Sequence, residues 1–239
     1  MIKTITFKTR IRLILSKVLG KDFSHIPNSL VRDSRIISFD VFDTLIIRPG
    51  LKTPSDLFDL IHPEDPTFKA RRLEAVGISR LEAEAKGLED RTLTDIYKHL
   101  PEYDEKDEIN AELSVCKANP EALKFFNTVK KAGKAGKDSK DGKAGKRVVI
   151  ISDMYLDRPT IENILTNSGF ELEGVNVYVS SEYGLTKRSG NLFKKVLREE
   201  GMVGREGEVL HIGDHFISDY LNPRKCGMKS FLYNRCSQS

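Results

Sequence analysis

A chain of 239 residues that is 39% hydrophobic and 31% charged has enough apolar material for one sizeable core and too much for a disordered segment. Its 39 basic and 35 acidic residues leave a formal net charge of only +4, which makes no electrostatic case for nucleic acid. Cys116, Cys226 and Cys236 form neither a disulfide set nor a metal-ligand spacing, and they suit a reducing cytoplasm. No apolar run reaches the roughly 18 residues of a membrane helix. Lys17 interrupts the one apolar stretch near the N-terminus, so neither a membrane span nor a signal peptide is expected.

Residues 1–34 read as a basic extension. Met1 to Lys21 holds six basic residues and no acid, with Ile11, Ile14, Leu15, Val18 and Leu19 at helical spacing. Such a helix packs on its own domain or a partner, or it lies on an anionic membrane surface. The segment Arg35 to Arg48, RIISFDVFDTLIIR, follows. Ile36 to Phe39 form a short apolar run fit for a buried strand. Asp40, Asp43 and Thr44 then stand before a second apolar run, Leu45 to Ile47. A buried carboxylate is costly unless paired, hydrogen-bonded or bound to a cation, so Asp40 is the first candidate for chemistry.

Residues 49–131 carry helical signals and no strand pattern. Thr53-Pro54-Ser55-Asp56 and Thr92-Leu93-Thr94-Asp95 are helix starts; Phe68 to Val76, Ser79 to Ala85, Glu108 to Cys116 and Pro120 to Ala132 read as further helices. The block is expected to be a helical lid. Residues 132–145 belong to a Lys/Gly/Ala low-complexity run expected to form a loop. It is not a phosphate-cradling P-loop, because the Gly-Lys at 136–137 precedes Asp138 and not Ser or Thr.

From Arg147 strand and helix alternate. Val148 to Ile151 ends in Ser152-Asp153, Val175 to Val179 in Ser180-Ser181, and Val209 to Ile212 in Gly213-Asp214; Ser230 to Tyr233 is a last strand. The expected fold is α/β: a Rossmann-like, doubly wound parallel sheet from 35–48 and 146–239, with the helical cap of 49–131 inserted.

In an open α/β sheet the carboxyl ends of the strands share one edge, where ligands bind. Asp40, Ser152 and Asp214 end three strands, and Lys187 lies in the loop after a fourth. A carboxylate that can attack phosphorus, oxygen ligands for Mg²⁺, and a lysine and a hydroxyl for phosphoryl oxygens together suggest phosphoryl transfer. His211 and His215 lie four apart on a strand and a turn, so a zinc pair is disfavoured.

These residues resemble the motifs of the haloacid dehalogenase-like (HAD) hydrolase superfamily. FDVFDTL (Phe39 to Leu45) matches the first motif, VVIISD with Ser152 the second, Lys187 in GLTKRSGNLF the third, and GDHFISD (Gly213 to Asp219) the fourth. The resemblance implies a cytoplasmic Mg²⁺-dependent phosphohydrolase acting on a small phosphorylated metabolite, a sugar phosphate being one such substrate. Asp40 would be the nucleophile, with Asp43 and Lys187 as further catalytic residues. Thr44, Ser152, Asp153 and Lys187 would bind substrate, and Asp40, the Phe42 carbonyl and Asp214 would serve the metal, with Asp219 supporting the metal or Lys187. Asp153 is alternatively a loop or cap residue. The wording also resembles a subgroup associated with glycosyltransferases of polysaccharide synthesis, which implies a glycosyltransferase partner. One departure stands out: Phe42 occupies the place of the family's second Asp, the acid/base, and Asp43 falls where the family has glycine. Either Asp43 takes over that role in a rearranged loop, or protonation is supplied otherwise, or hydrolysis is slow; Asp43 is alternatively only a cap of the turn after the strand. A low-turnover scaffold module and a phosphotransferase are the alternatives.

Overall fold

The computed structural model describes residues 20–137 and 145–234. The expected helix within the N-terminal extension lies outside the described residues, as does 138–144 of the low-complexity run. In chain order the strands are β1 (Ile36–Phe39), β2 (Ile46–Ile47), β3 (Lys117–Ala118), β4 (Arg147–Ser152), β5 (Asn176–Val179), β6 (Val209–Gly213) and β7 (Lys229–Leu232). Five of them form one parallel sheet in the order β5-β4-β1-β6-β7. All four residues of β1 are buried, as a central strand covered on both faces requires. From β1 the chain builds outward through β4 and β5 on one side and through β6 and β7 on the other. The topological switch point therefore lies between β1 and β6.

The helices are α1 (Asn28–Arg32), α2 (Phe58–Ile61), α3 (Phe68–Ala85), α4 (Leu93–Tyr97), α5 (Glu105–Val115), α6 (Pro120–Lys137), α7 (Arg158–Asn167), α8 (Ser180–Tyr183), α9 (Asn191–Glu199) and α10 (Asn222–Lys225). None among the described residues is long and apolar enough to cross a membrane. One apolar cluster, with Phe39, Phe126, Ile161 and Phe170, covers one face of the sheet; a second, with Ile151, Leu192, Phe193 and Val196, covers the other.

Three expectations change. The two helices expected at 68–76 and 79–85 are one, α3, because Gly77 has open space around it and one buried face, Phe68, Arg72, Ala75, Ser79 and Ala83, runs past it at helical spacing. α6 packs on the sheet and not in the helical insertion: Phe126 lies 5.8 Å from the Phe39 ring and 5.2 Å from the Phe170 ring, centroid to centroid. It also continues to Lys137, so the first residues of the expected loop are helical. The insertion thus runs between β2 and β3, a two-residue antiparallel ladder pairing Ile46 with Ala118 and Ile47 with Lys117. Its return is fixed by Asn119, whose Nδ2 donates to the Thr44 carbonyl and to the Tyr233 hydroxyl, both at 2.8 Å.

Candidate active site

Four elements bring the site together at the carboxyl edge of the sheet. Asp40 follows β1 directly, and its amide donates to the Ile212 carbonyl of β6 at 2.9 Å, which holds the two strand ends side by side. The next residues fold into a tight loop closed by the Ile46 amide on the Val41 carbonyl at 2.8 Å. Within it Thr44 Oγ1 donates to Asp40 Oδ2 at 3.2 Å. Asp43 has φ +59°, the left-handed conformation that glycine adopts freely and aspartate tolerates among the L residues. Its carboxylate is 59% exposed and 3.9 Å from Arg48 Nη2. The Arg48 guanidinium also lies over the Phe42 ring, 4.8 Å from its centroid. The structure thus turns Asp43 outward, away from Asp40.

Lys187 is the hub. Its ammonium is buried between Asp40 Oδ1 and Asp219 Oδ1, the latter at 2.7 Å. Burial opposes its charge, but Asp219, Asp40 and Asp153 outweigh that and hold it protonated beyond the ordinary lysine range. Asp219 sits in a π-helical turn, Phe216–Leu221, after β6. Its Oδ1 also meets His211 Nε2 at 3.1 Å, and its Oδ2 accepts the His215 amide at 2.9 Å. Burial alone would raise its pKa; Lys187 and His211 outweigh burial and keep it well below the usual carboxylate range. His211 is itself buried, with Nδ1 2.9 Å from Ser38 Oγ of the neighbouring strand. Gly213 makes room for this packing: a Cβ there would come 2.5 Å from Asp219 Cγ. His215 Nδ1 accepts the Ser218 amide at 3.1 Å while His211 Nε2 faces Asp219, so the two rings hold different residues of the same turn and form no zinc pair.

Oxygens of Asp40, Asp214 and Asp219 lie within 4.8 Å of one another. Burial, opposed by Lys187 but helped by Asp219, pushes the Asp40 carboxyl up to about 7. Burial, with Asp40, Asp219 and Asp43 adding to it, pushes Asp214 well above the carboxylate range. One lysine does not balance this cluster. An all-oxygen donor set carrying excess negative charge fits a hard divalent cation such as Mg²⁺. Ser152 Oγ, at the end of β4, is buried and has no hydrogen-bond partner in the protein. An orphaned buried hydroxyl facing the same strand edge fits a ligand oxygen.

Asp153 is placed differently from the other predicted site residues. Its two carboxylate oxygens accept the amides of Lys187 at 2.7 Å and Arg188 at 3.2 Å, so it holds the lysine loop. Burial pushes it up to about 6 against the pull of Lys187. Asn222 supports the same loop by donating to the Lys187 and Arg188 carbonyls at 3.2 and 2.6 Å. Sequence reasoning passed over Ser38, Asn119 and Asn222, and weighed His211 only as a zinc ligand. The available signal was position: a polar residue inside an apolar strand, as with Ser38 and His211, needs a buried partner.

No family model matches the chain. Over 75 residues, 31% of the chain, it is 29% identical to haloacid dehalogenase-like hydrolase domain-containing protein 3 of Danio rerio, and the match spans 30% of that relative's length. Among solved structures it resembles a HAD family enzyme from Bacteroides thetaiotaomicron, with TM-score 0.59 and 14% identity over 86% of this chain and 96% of that one. L-2-haloacid dehalogenase from Xanthobacter autotrophicus, with chloropropionic acid covalently bound, has TM-score 0.57 and 14% identity over 86% of this chain and 79% of its own. The HAD-hydrolase YfnB from Bacillus subtilis, bound to magnesium, has TM-score 0.53 and 16% identity over 86% and 89%. The architecture of this chain, a five-stranded parallel sheet with its acidic residues at the switch point, is the haloacid dehalogenase-like hydrolase fold.

Proposed function

We propose that the protein is a Mg²⁺-dependent phosphohydrolase acting on a small phosphorylated metabolite through an aspartyl-phosphate on Asp40. The observation that carries this reading is the convergence of Asp40, Lys187 and the Asp214–Asp219 cluster on one strand edge, together with the unpartnered Ser152 hydroxyl. Mg²⁺ would supply charge neutralisation between the carboxylates and the phosphoryl oxygens. Asp40 and Asp214 would hold it directly, with the Phe42 carbonyl two residues after Asp40. Both oxygens of Asp219 are already engaged by Lys187, His211 and the His215 amide, which gives Asp219 the task of holding Lys187.

An Asp40 oxygen attacks phosphorus and the bond to the leaving oxygen breaks. Lys187 neutralises the carboxylate before attack and the phosphoryl oxygens after it, and Ser152 Oγ donates to one of those oxygens. Water then cleaves the acyl phosphate, which returns the Asp40 carboxylate and free phosphate. Thr44 fixes the rotamer of Asp40 throughout. The over-acidic cluster favours this reading over dehalogenation, which has no use for a divalent cation. The helical insertion would act as the cap that selects the substrate, a sugar phosphate being one fit.

The position of Asp43 supports a second reading, a low-turnover binding module partnering a glycosyltransferase. Phe42 has no proton to move, and Asp43 is turned toward Arg48. One comparison tests both. With 4-nitrophenyl phosphate and a panel of sugar phosphates, Mg²⁺-dependent turnover is expected in the wild type and should fall at least roughly a thousandfold in Asp40→Asn. Equal rates in the two proteins would sink the hydrolase assignment. Tight beryllofluoride binding with no turnover on any substrate would favour the second reading.

A further inference from the structure

The insertion meets the loops beside the site through Arg72 of α3, over the Tyr155 ring at 5.0 Å, and through the segment Leu88 to Leu93, between α3 and α4. Leu88 lies against Gly184: a Cβ on that residue, which has φ +59°, would come 2.6 Å from the Leu88 Cδ2 atom. The Glu89 amide donates to the Gly184 carbonyl at 2.9 Å, and the Leu93 amide to the Tyr155 carbonyl at 2.7 Å. Between these backbone contacts, two adjacent acids reach two different loops of the site.

Glu89 reaches the lysine loop. Its Oε2 accepts the Thr186 amide at 2.8 Å and the Ser189 hydroxyl at 2.5 Å, and its Oε1 accepts Asn191 Nδ2. Although largely exposed, the carboxylate is held below the ordinary glutamate range: burial raises it, and the Ser189, Asn191 and Thr186 donors more than offset that. Asp153 and Asn222 hold only the middle of the loop, at Lys187 and Arg188. Glu89 holds its two ends, Thr186 and Ser189 to Asn191. It also places a negative charge beside the N-terminus of α9, where the exposed amides and helix dipole favour one.

Asp90 reaches the serine loop. It is buried, and its Oδ2 accepts the Ser180 hydroxyl. Ser180 Oγ in turn accepts the Met154 amide at 2.8 Å, two residues beyond Ser152. The Ser180 hydroxyl thus accepts the Met154 amide and donates to Asp90, with a second, longer contact of 3.3 Å to the Met154 carbonyl.

We infer that Glu89 and Asp90 are positioning residues through which the helical insertion holds the Lys187 and Ser152 loops in register with Asp40. This rests on the reading of Lys187 and Ser152 as phosphoryl-binding groups. The two loops leave different strands, β4 and β5, and one dipeptide from outside the core ties both. A misplacement of about 1 Å in a charged catalytic group is costly, so the tie is expected to act on turnover and not on binding.

Hydrogen exchange by mass spectrometry on the full chain tests the tie without needing a substrate. In Glu89→Ala, amides of 185–191 are expected to exchange about tenfold faster, and in Asp90→Ala those of 153–156, because each loop loses its outside acceptors. Glu89→Gln keeps an oxygen acceptor for Thr186 and should restore most of the protection. Glu84→Ala, an exposed acid on α3, should change neither segment. Unchanged exchange in the two loops would overturn the inference, and so would acceleration spread over β1, β4 and β6, which would mark a global role. With 4-nitrophenyl phosphate, Glu89→Ala is expected to lose about tenfold in kcat at unchanged KM, with recovery in Glu89→Gln. A change in KM alone would overturn the inference. A wild type without turnover would remove the hydrolase reading, while the exchange pattern would still decide whether the dipeptide holds the loops.

Discussion

Among the described residues two cations are fully buried, Arg72 and Lys187, and they are built on opposite principles. Arg72 of α3 is matched: Glu108 of α5 meets it bidentately at 2.6 and 2.7 Å, and Tyr97 donates to the same carboxylate at 3.0 Å. The rings of Phe58, Tyr97 and Tyr155 surround the guanidinium, 4.8, 5.6 and 5.0 Å from its carbon. Lys187 is outnumbered, with Asp40, Asp153 and Asp219 all acting on one ammonium and Asp214 beside them. Closure of charge in the first case is what a structural ion pair needs, since breaking it strands a buried charge. Excess of one sign in the second is a standing cost that a site bears for a ligand of the opposite sign. Under the proposed function, imbalance, and not burial, separates the cluster around Lys187 from the structural pair at Arg72.

The contrast is sharpest in turnover. Lys187→Met should lower the rate on phosphate esters by about 10²–10³-fold, as removal of a charge-stabilising group does elsewhere. Pairing it with Asp219→Asn should recover stability but not rate; recovery of rate would erase the distinction drawn here. On the other side, Arg72→Met is expected to cost about 3–5 kcal/mol in urea unfolding, because Glu108 is left buried and unpaired. Replacing both partners, Arg72→Met with Glu108→Leu, should return more than half of that, with turnover per folded molecule little changed. A double variant as unstable as the single one would mean that the aromatic cage, and not the charge pair, carries the energy.

Cation binding provides a smaller effect. Mg²⁺ at a hundredfold excess over its Kd should stabilise the protein by about 2.7 kcal/mol, seen as a rise in Tm, and Asp214→Asn should abolish that rise. An equal rise in the variant would place the cation elsewhere. The smallest effect belongs to the exposed charges, which set the scale for the buried ones. Asp95 closes a capping box on α4, accepting from the Thr92 amide at 3.1 Å and from its hydroxyl at 2.8 Å, with Lys98 at 2.6 Å. Lys98, with Thr92 adding to it against the opposing effect of burial, holds Asp95 down to about 2. A depressed folded-state pKa stabilises above the unfolded value and is lost as pH falls through the folded one. Thr92→Ala should therefore cost about 1 kcal/mol at neutral pH. That cost should shrink between about pH 4 and 2, as pH-dependent urea titrations would show.

Much of this was legible in the sequence for a simple reason. Asp40 and Asp214 directly follow an apolar strand and Ser152 ends one, and parallel sheets send all such residues to one edge. What was not legible depended on partners far away in the chain. The apolar stripe of α6, with Ala122, Phe126 and Val129 buried, would look the same against a sheet or inside a lid. β3 has only Lys117 and Ala118, neither a strand former, and exists because Ile46 and Ile47 need backbone partners. Asp43 offered a short spacing to Asp40, but its left-handed backbone turns the carboxylate toward Arg48, and no spacing rule encodes that. Glu89 and Asp90 carry no local signal of their role, because their partners Ser180, Thr186, Ser189 and Asn191 lie 90 to 102 positions further along the chain.

The two-residue ladder of β2 and β3 has a consequence for how the chain is assembled. It brings the two ends of the insertion to the spacing of paired strands, about 5 Å. To the rest of the polypeptide the insertion is then a closed loop whose ends are already joined. The entropy of closing such a loop grows only with the logarithm of its length, so doubling the insertion would cost about 0.6 kcal/mol. The neck makes the length of the insertion adjustable: helices can be added or lost beyond Ile47 and before Lys117 at little closure cost, provided that Glu89 and Asp90 keep their hold on the Lys187 and Ser152 loops.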